Sequence, residues 1–164
     1  MITIDEKPTL TVNESMQLAW QHYQQGSREN ARLISLRVLQ VARKNPDALH
    51  LLGVLAYETN NQAMAIKLMT EALRSAKRYA PLHGNLALAK LAAGDLAGAA
   101  ASARKAFELS PSYADAHRVL GIVHRHKGQL KEAVQEFERA RSLGLDTPQL
   151  ETMLRETREQ LAAP

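Results

Sequence analysis

The chain contains no cysteine, which excludes disulfides, thiolate metal ligands and thiol nucleophiles. Aromatic residues make up only 4% of its 164 residues, so a core must be assembled mainly from Leu, Ala, Val and Ile. Such side chains fill thin helical layers more readily than a sheet sandwich, and alternating β-branched runs are few. No stretch approaches the roughly 20 apolar residues with which a helix crosses a bilayer. The opening MITIDEKPTL carries two acids and no apolar run of signal-peptide length. The expectation is a soluble, cytoplasmic protein without membrane insertion. Catalytic motifs are missing too: there is no P-loop, no G-x-G-x-x-G, no H-E-x-x-H and no serine elbow. Neither catalysis nor a cofactor is expected.

What is present is a register. Stepping by 34 residues from Gly53 reaches Ala19, Ala87 and Gly121, all very small, and each follows a leucine: Leu18, Leu52, Leu86 and Leu120. Ala31, Ala65, Ala99 and Ala133 keep the same step, as do Val38, Ala72, Ala106 and Ala140. Helix backbones approach closely only where side chains are small, so these places mark where two helices cross, and a bulky residue there would overpack. Between the helices of each copy stand Gly26, Asn60, Gly94 and Gly128, where a turn calls for a left-handed backbone. Ser27, Asn61 and Asp95 follow as expected N-caps, with Gln129 in the fourth copy.

This spacing resembles the tetratricopeptide repeat (TPR) family, most fully in the run YADAHRVLGIVHRHKGQLKEAVQEFERA from Tyr113 to Ala140. The resemblance implies an all-α, right-handed superhelical solenoid of four helix pairs, 12–45, 46–79, 80–113 and 114–147, with first helices lining the inside. Residues 1–11 read as an extended N-terminal arm, with Pro8 opposing a helix. Residues 148–164 read as a capping helix with Thr147 as N-cap and a buried stripe of Leu150, Leu154, Thr157 and Leu161. Arg43 and Lys77 stand where the family usually places Pro, so the second helices of the first two repeats are expected to run long. Gly144 is the expected C-cap of the fourth repeat.

Charge and histidines assign no chemistry. The net charge of +4 comes from 21 basic and 17 acidic residues spread along the chain, which allows an acidic partner without demanding one. The pairs Arg43-Lys44, Lys77-Arg78 and Arg104-Lys105 fall near helix C-termini, where cations complement the dipole. The HRHK run at 124–127 lacks the interleaved aromatics of a single-strand binder, so nucleic acid is not expected. His83, His117 and His124 read as ordinary half-buried histidines without carboxylates at ligand spacing, and no metal is expected.

Partner contacts in TPR proteins commonly come from set places on each first helix. By register the resemblance implies a groove made of Trp20, Tyr23, His50, Val54, Tyr57, Leu88, Arg118, Ile122 and Arg125. It places the only Trp and two Tyr at one end, an apolar middle, and two Arg at the other. The set with which chaperone adaptors grip a C-terminal carboxylate fails: the corresponding places hold Met16, Trp20, Leu51, Pro81 and Asn85, or His50, Val54, Asn85, Asp115 and Val119. The expected function is a protein-interaction scaffold binding a protein or peptide of apolar and partly acidic character. Two alternatives stand beside it. The run GSRENARLISLRVLQVARKNPDALHLLGVLAY looks like repeats preceding bacterial sulfotransferase or glycosyltransferase domains, which would make the chain the non-catalytic part of an enzyme. The other is a self-associating scaffold that forms a homodimer.

Overall fold

The computed structural model describes residues 10–163; the expected arm lies outside them except for Leu10 and Thr11. Among the described residues the chain folds into nine helices: α1 (Val12–Gln24), α2 (Arg28–Val41), α3 (Pro46–Glu58), α4 (Gln62–Ala72), α5 (Ala80–Ala92), α6 (Leu96–Leu109), α7 (Ala114–His126), α8 (Leu130–Ser142) and α9 (Pro148–Ala162). Helices pair as α1–α2, α3–α4, α5–α6 and α7–α8, each second helix packs on the next first helix, and α9 packs on α8.

The N-caps of the first helices and of α9 are Thr11, Asn45, Tyr79, Tyr113 and Thr147. They keep the 34-residue step of the core. Thr11 forms a capping box, its hydroxyl accepting from the Glu14 amide while the Glu14 carboxylate accepts from the Thr11 amide at 2.8 Å. Asn45 and Thr147 accept from the amides of Ala48 and Leu150. Tyr79 and Tyr113 make no side-chain cap, and their rings are used elsewhere.

Within a pair, small faces large. A Cβ on Gly53 would stand 2.8 Å from Met69 Cγ, and one on Gly121 would stand 2.5 Å from two ring carbons of Phe137. In the other two pairs the small residue is Ala19 or Ala87, and the register places Ser35 or Ala103 opposite. Volume lost on one helix is thus returned by the other, which keeps the crossing close-packed along the stack. The turns are as expected, with φ of 81° at Gly26, 58° at Asn60, 80° at Gly94 and 72° at Gly128. Gly144 has φ of 90° and follows the C-cap Leu143 of α8.

Several local expectations are corrected. α2 ends at Val41 and α4 at Ala72, so neither helix runs long. α2 stops just before Asn45 leaves the helical conformation to start α3, whereas α4 gives way after Ala72 to tight turns, Arg74 N–H to the Glu71 carbonyl and Ser75 N–H to the Ala72 carbonyl, well before Tyr79 starts α5. Ser27 makes no side-chain cap; its turn is closed by the main chain, Ser27 N–H to the His22 carbonyl at 2.8 Å. Asn61 and Asp95 do cap, accepting from Met64 and Gly98. On α9, Leu150, Leu154 and Thr157 are buried, whereas Leu161 is 40% exposed because the helix outruns the surface of α8 that it covers. His117 is buried, not half-buried, and its Nδ1 lies 2.6 Å from Glu136.

Successive first helices touch one another, α1 with α3, α3 with α5 and α5 with α7, to an extent that successive second helices do not. In a curved stack the inner elements crowd and the outer ones splay. The first helices therefore line the concave side of a superhelical TPR-type solenoid, and α9 closes its C-terminal end over Ala133, Phe137 and Ala140.

Candidate protein-binding groove

Trp20 and Tyr23 lie one turn apart on α1, at the first end of the concave side. Their rings meet edge to face with centroids 5.7 Å apart, and Trp20 also lies 5.3 Å from the His50 ring on α3. The far side of His50 meets Tyr79 at 5.6 Å, edge to face. The Asn85 side chain on α5 reaches His50 Nε2 at 2.8 Å. Three first helices are thus bound together through one imidazole.

His50 is only 2% exposed, so it supports the groove from beneath and is not part of its contact surface. Its Nδ1 finds no partner among the described residues. A charged ring would have to be held there without water, and burial accordingly pushes the imidazole down to about 4.

Above this support, Trp20 lines a recess of about 480 Å³ with Asn13, Gln17, Gln24 and Asp47. Tyr23, one turn on, is fixed by its hydroxyl donating to Glu58 at 2.6 Å while the Arg28 guanidinium, itself bonded to Glu58, sits 5.3 Å from the ring centroid. Burial, then the Glu58 hydrogen bond, push the Tyr23 phenol up to about 12, so it stays a neutral donor. Val54 and Tyr57 are half-buried and continue the core formed by Leu49, Met69 and Leu82. Leu88 does the same against the core around Ala87 and Val119.

At the far end Ile122 and Arg125 line a second recess of about 460 Å³ with His126, Met153 and Gln160. Neither arginine is a bare cation. Arg118 donates to Asp115 at 2.7 and 2.9 Å, and Arg125 donates to Glu156 on α9 at 3.1 Å. Both guanidinium groups are thereby held in place, and a partner carboxylate would have to share or displace these acids.

Two contributors escaped sequence reasoning, Tyr79 and Tyr113. Both sit at the helix-start step, and that periodicity was the available signal. Tyr113 lies over Gly84, the register equivalent of His50. No group of three His, Asp or Glu stands in a metal-holding arrangement among the described residues. Among the described residues no helix is long and apolar enough to cross a membrane.

Tetratricopeptide-repeat proteins are among the known proteins this chain is similar to. A tetratricopeptide-repeat family model matches residues 85–146. Human tetratricopeptide repeat protein 36 is 32% identical over 109 residues, 64% of this chain and 58% of that protein. The chain thus spans a little over half the length of this relative. Among solved structures, the O-GlcNAc transferase of Thermobaculum terrenum (mutant K341M) is 27% identical with a TM-score of 0.73, over 82% of this chain and 27% of that one. The first TPR of Spaghetti (RPAP3), bound to the HSP90 peptide SRMEEVD, is 23% identical with a TM-score of 0.68, over 73% of this chain and 94% of that one.

Proposed function

We propose, for this member of the tetratricopeptide-repeat family, that it is a protein-interaction module holding an extended or helical segment of a partner protein in its concave groove, with no reaction of its own. The observation that carries the proposal is the preorganised Trp20 end. The one Trp of the chain is half-buried against His50 and Tyr23, and one side of it lines an open, polar-rimmed recess. A rigid aromatic anchor beside amide side chains binds a peptide with little loss of side-chain freedom.

The partner segment is read as apolar along its middle, opposite Val54, Leu88 and Ile122, with some acidic character toward Arg118 and Arg125. The Spaghetti structure carries an acidic peptide on a fold of this kind. The carboxylate-gripping places are not matched here, so an acidic group would be met at the two arginines in competition with Asp115 and Glu156.

Co-purification from native extract tests the reading, comparing the wild type with Arg118→Glu/Arg125→Glu at equal helicity. A partner captured by the first and lost by the second supports the groove; equal capture by both removes it.

A second reading has one observation in its favour. The likeness to the Thermobaculum transferase covers most of this chain but only 27% of that enzyme. The chain would then be the non-catalytic repeat region of a larger glycosyltransferase, and a transferase domain in the same reading frame is the result that would establish it.

A further inference from the structure

Because successive second helices splay, the outer side of the solenoid carries a cleft between each neighbouring pair. The cleft between α2 and α4 differs from the other two. Its floor is Leu52 and Leu55 of α3, and its walls are Leu36 and Leu39 of α2 and Met64 and Leu68 of α4, around a volume of about 510 Å³. Leu36 is 39% exposed and Met64 42%, and Leu33 on the α2 crest is 45% exposed.

The 34-residue register shows that this apolarity is specific to one place. Where the first cleft has Leu36, Ala56, Met64 and Leu68, the second has Thr70, Lys90, Gly98 and Ser102, and the third has Arg104, His124, Glu132 and Glu136. In the second, Lys90 spans the gap and donates to Ser102 at 3.1 Å. In the first, Ala56 leaves that gap open.

We infer that the α2/α4 cleft is a self-association surface, occupied by the same surface of a second copy of this chain about a two-fold axis. Two features select this occupant. The patch holds both halves of a fit, a protruding crest at Leu33 and Leu36 and a recess at Leu52, Leu55 and Leu68, and a two-fold contact requires one surface to supply both. Its charges are also balanced. Arg28 is paired with Glu58 at 3.1 Å and Arg32 with Glu29 at 2.6 Å, so the patch itself is neutral although the chain as a whole carries +4. Across a two-fold axis Arg32 of one copy can also bridge to Glu29 of the other. The surface meets the Tyr23 edge of the groove through the Arg28 and Glu58 pair, while Trp20, Arg118 and Arg125 lie outside its lining, so a dimer leaves those contacts free and doubles the valency toward a partner.

Sedimentation velocity over the micromolar range tests the inference. The wild type is expected to rise with concentration from 18.1 kDa toward twice that mass, and Leu36→Glu to stay at the single-chain mass with unchanged helicity. Arg118→Glu, on the groove side, should dimerise like the wild type. A wild type that remains single at every concentration overturns the inference. So does a dimer that survives Leu36→Glu.

Discussion

The ring of Tyr113 occupies the space into which a side chain at Gly84 would project; a Cβ there would collide with the ring and the hydroxyl. Tyr113 is the N-cap residue of α7 and Gly84 lies in the first turns of α5, so the contact ties one repeat to the next. Residues 50 and 79 have the same relation one repeat earlier, there as a His and Tyr ring pair. Gly84→Ala is expected to cost about 1 to 3 kcal/mol, because the ring must leave a site fixed by its own burial. In a cycle with Tyr113→Ala the two changes should be clearly non-additive by urea denaturation; additive effects would mean that the ring moves away freely.

Gly121 and Phe137 make a second such pair, inside one repeat. Phe137 is fully buried, and its ring carbons would lie 2.5 Å from an added Cβ. Gly121→Ala should destabilise by about 1 to 3 kcal/mol, and Phe137→Leu in the same molecule should recover part of that loss. Thermal unfolding of the two single variants and the double variant measures this directly.

His50 makes stability depend on pH with a definite sign. Its folded value is about 4 against an ordinary 6.5, because burial penalises the charged ring. Between those values the unfolded chain takes up a proton that the folded chain refuses. Its contribution is therefore complete above pH 6.5 and is lost as the pH falls through 6.5 toward 4. At 1.36 kcal/mol per pH unit the loss is about 3 kcal/mol. The stability difference between the wild type and His50→Phe should shift against the wild type by that amount between pH 7 and pH 4. A difference independent of pH would contradict the assignment.

The pair of buried His117 and half-buried Glu136 gives a further prediction. Glu136 accepts from His117 Nδ1 at 2.6 Å and from Arg139 at 2.9 Å, while Phe107 closes over the imidazole with centroids 4.9 Å apart. Glu136→Ala leaves a buried N–H unpaired and should cost about 1 to 3 kcal/mol. Glu136→Gln keeps an acceptor and should restore most of the loss in the same chemical denaturation assay.

The repeat step, the left-handed turns and the pairing of helices were legible in the sequence because each is a one-dimensional signal recurring four times. Asn60, the single non-glycine turn residue of the series, fell into place on the same ground. Partnerships between elements were not legible. Arg118 and Arg125 read as groove contacts, but their partners Asp115 and Glu156 did not show, and the second of these pairs joins α7 to α9 across 31 residues. His50 read as a groove contact, but the rings of Trp20 and Tyr79 close over it from two other elements. The length of α4 was misjudged because it breaks into tight turns at Arg74 and Ser75, ahead of the place where its equivalents α2 and α6 end, and no residue there carries a turn signal of the kind Gly and Pro give.

The central claim is that the concave side receives a partner segment, and Trp20 is a built-in reporter because it is the only tryptophan and half-buried at the groove's edge. The direct measurement is a titration, followed by Trp20 emission, of a tryptophan-free peptide selected on the protein from a random display library. A saturable emission change, with affinity lowered at least tenfold by Arg118→Glu/Arg125→Glu, about 1.4 kcal/mol, is the expected result. A peptide that binds with equal strength to both proteins and leaves Trp20 emission unchanged would contradict it.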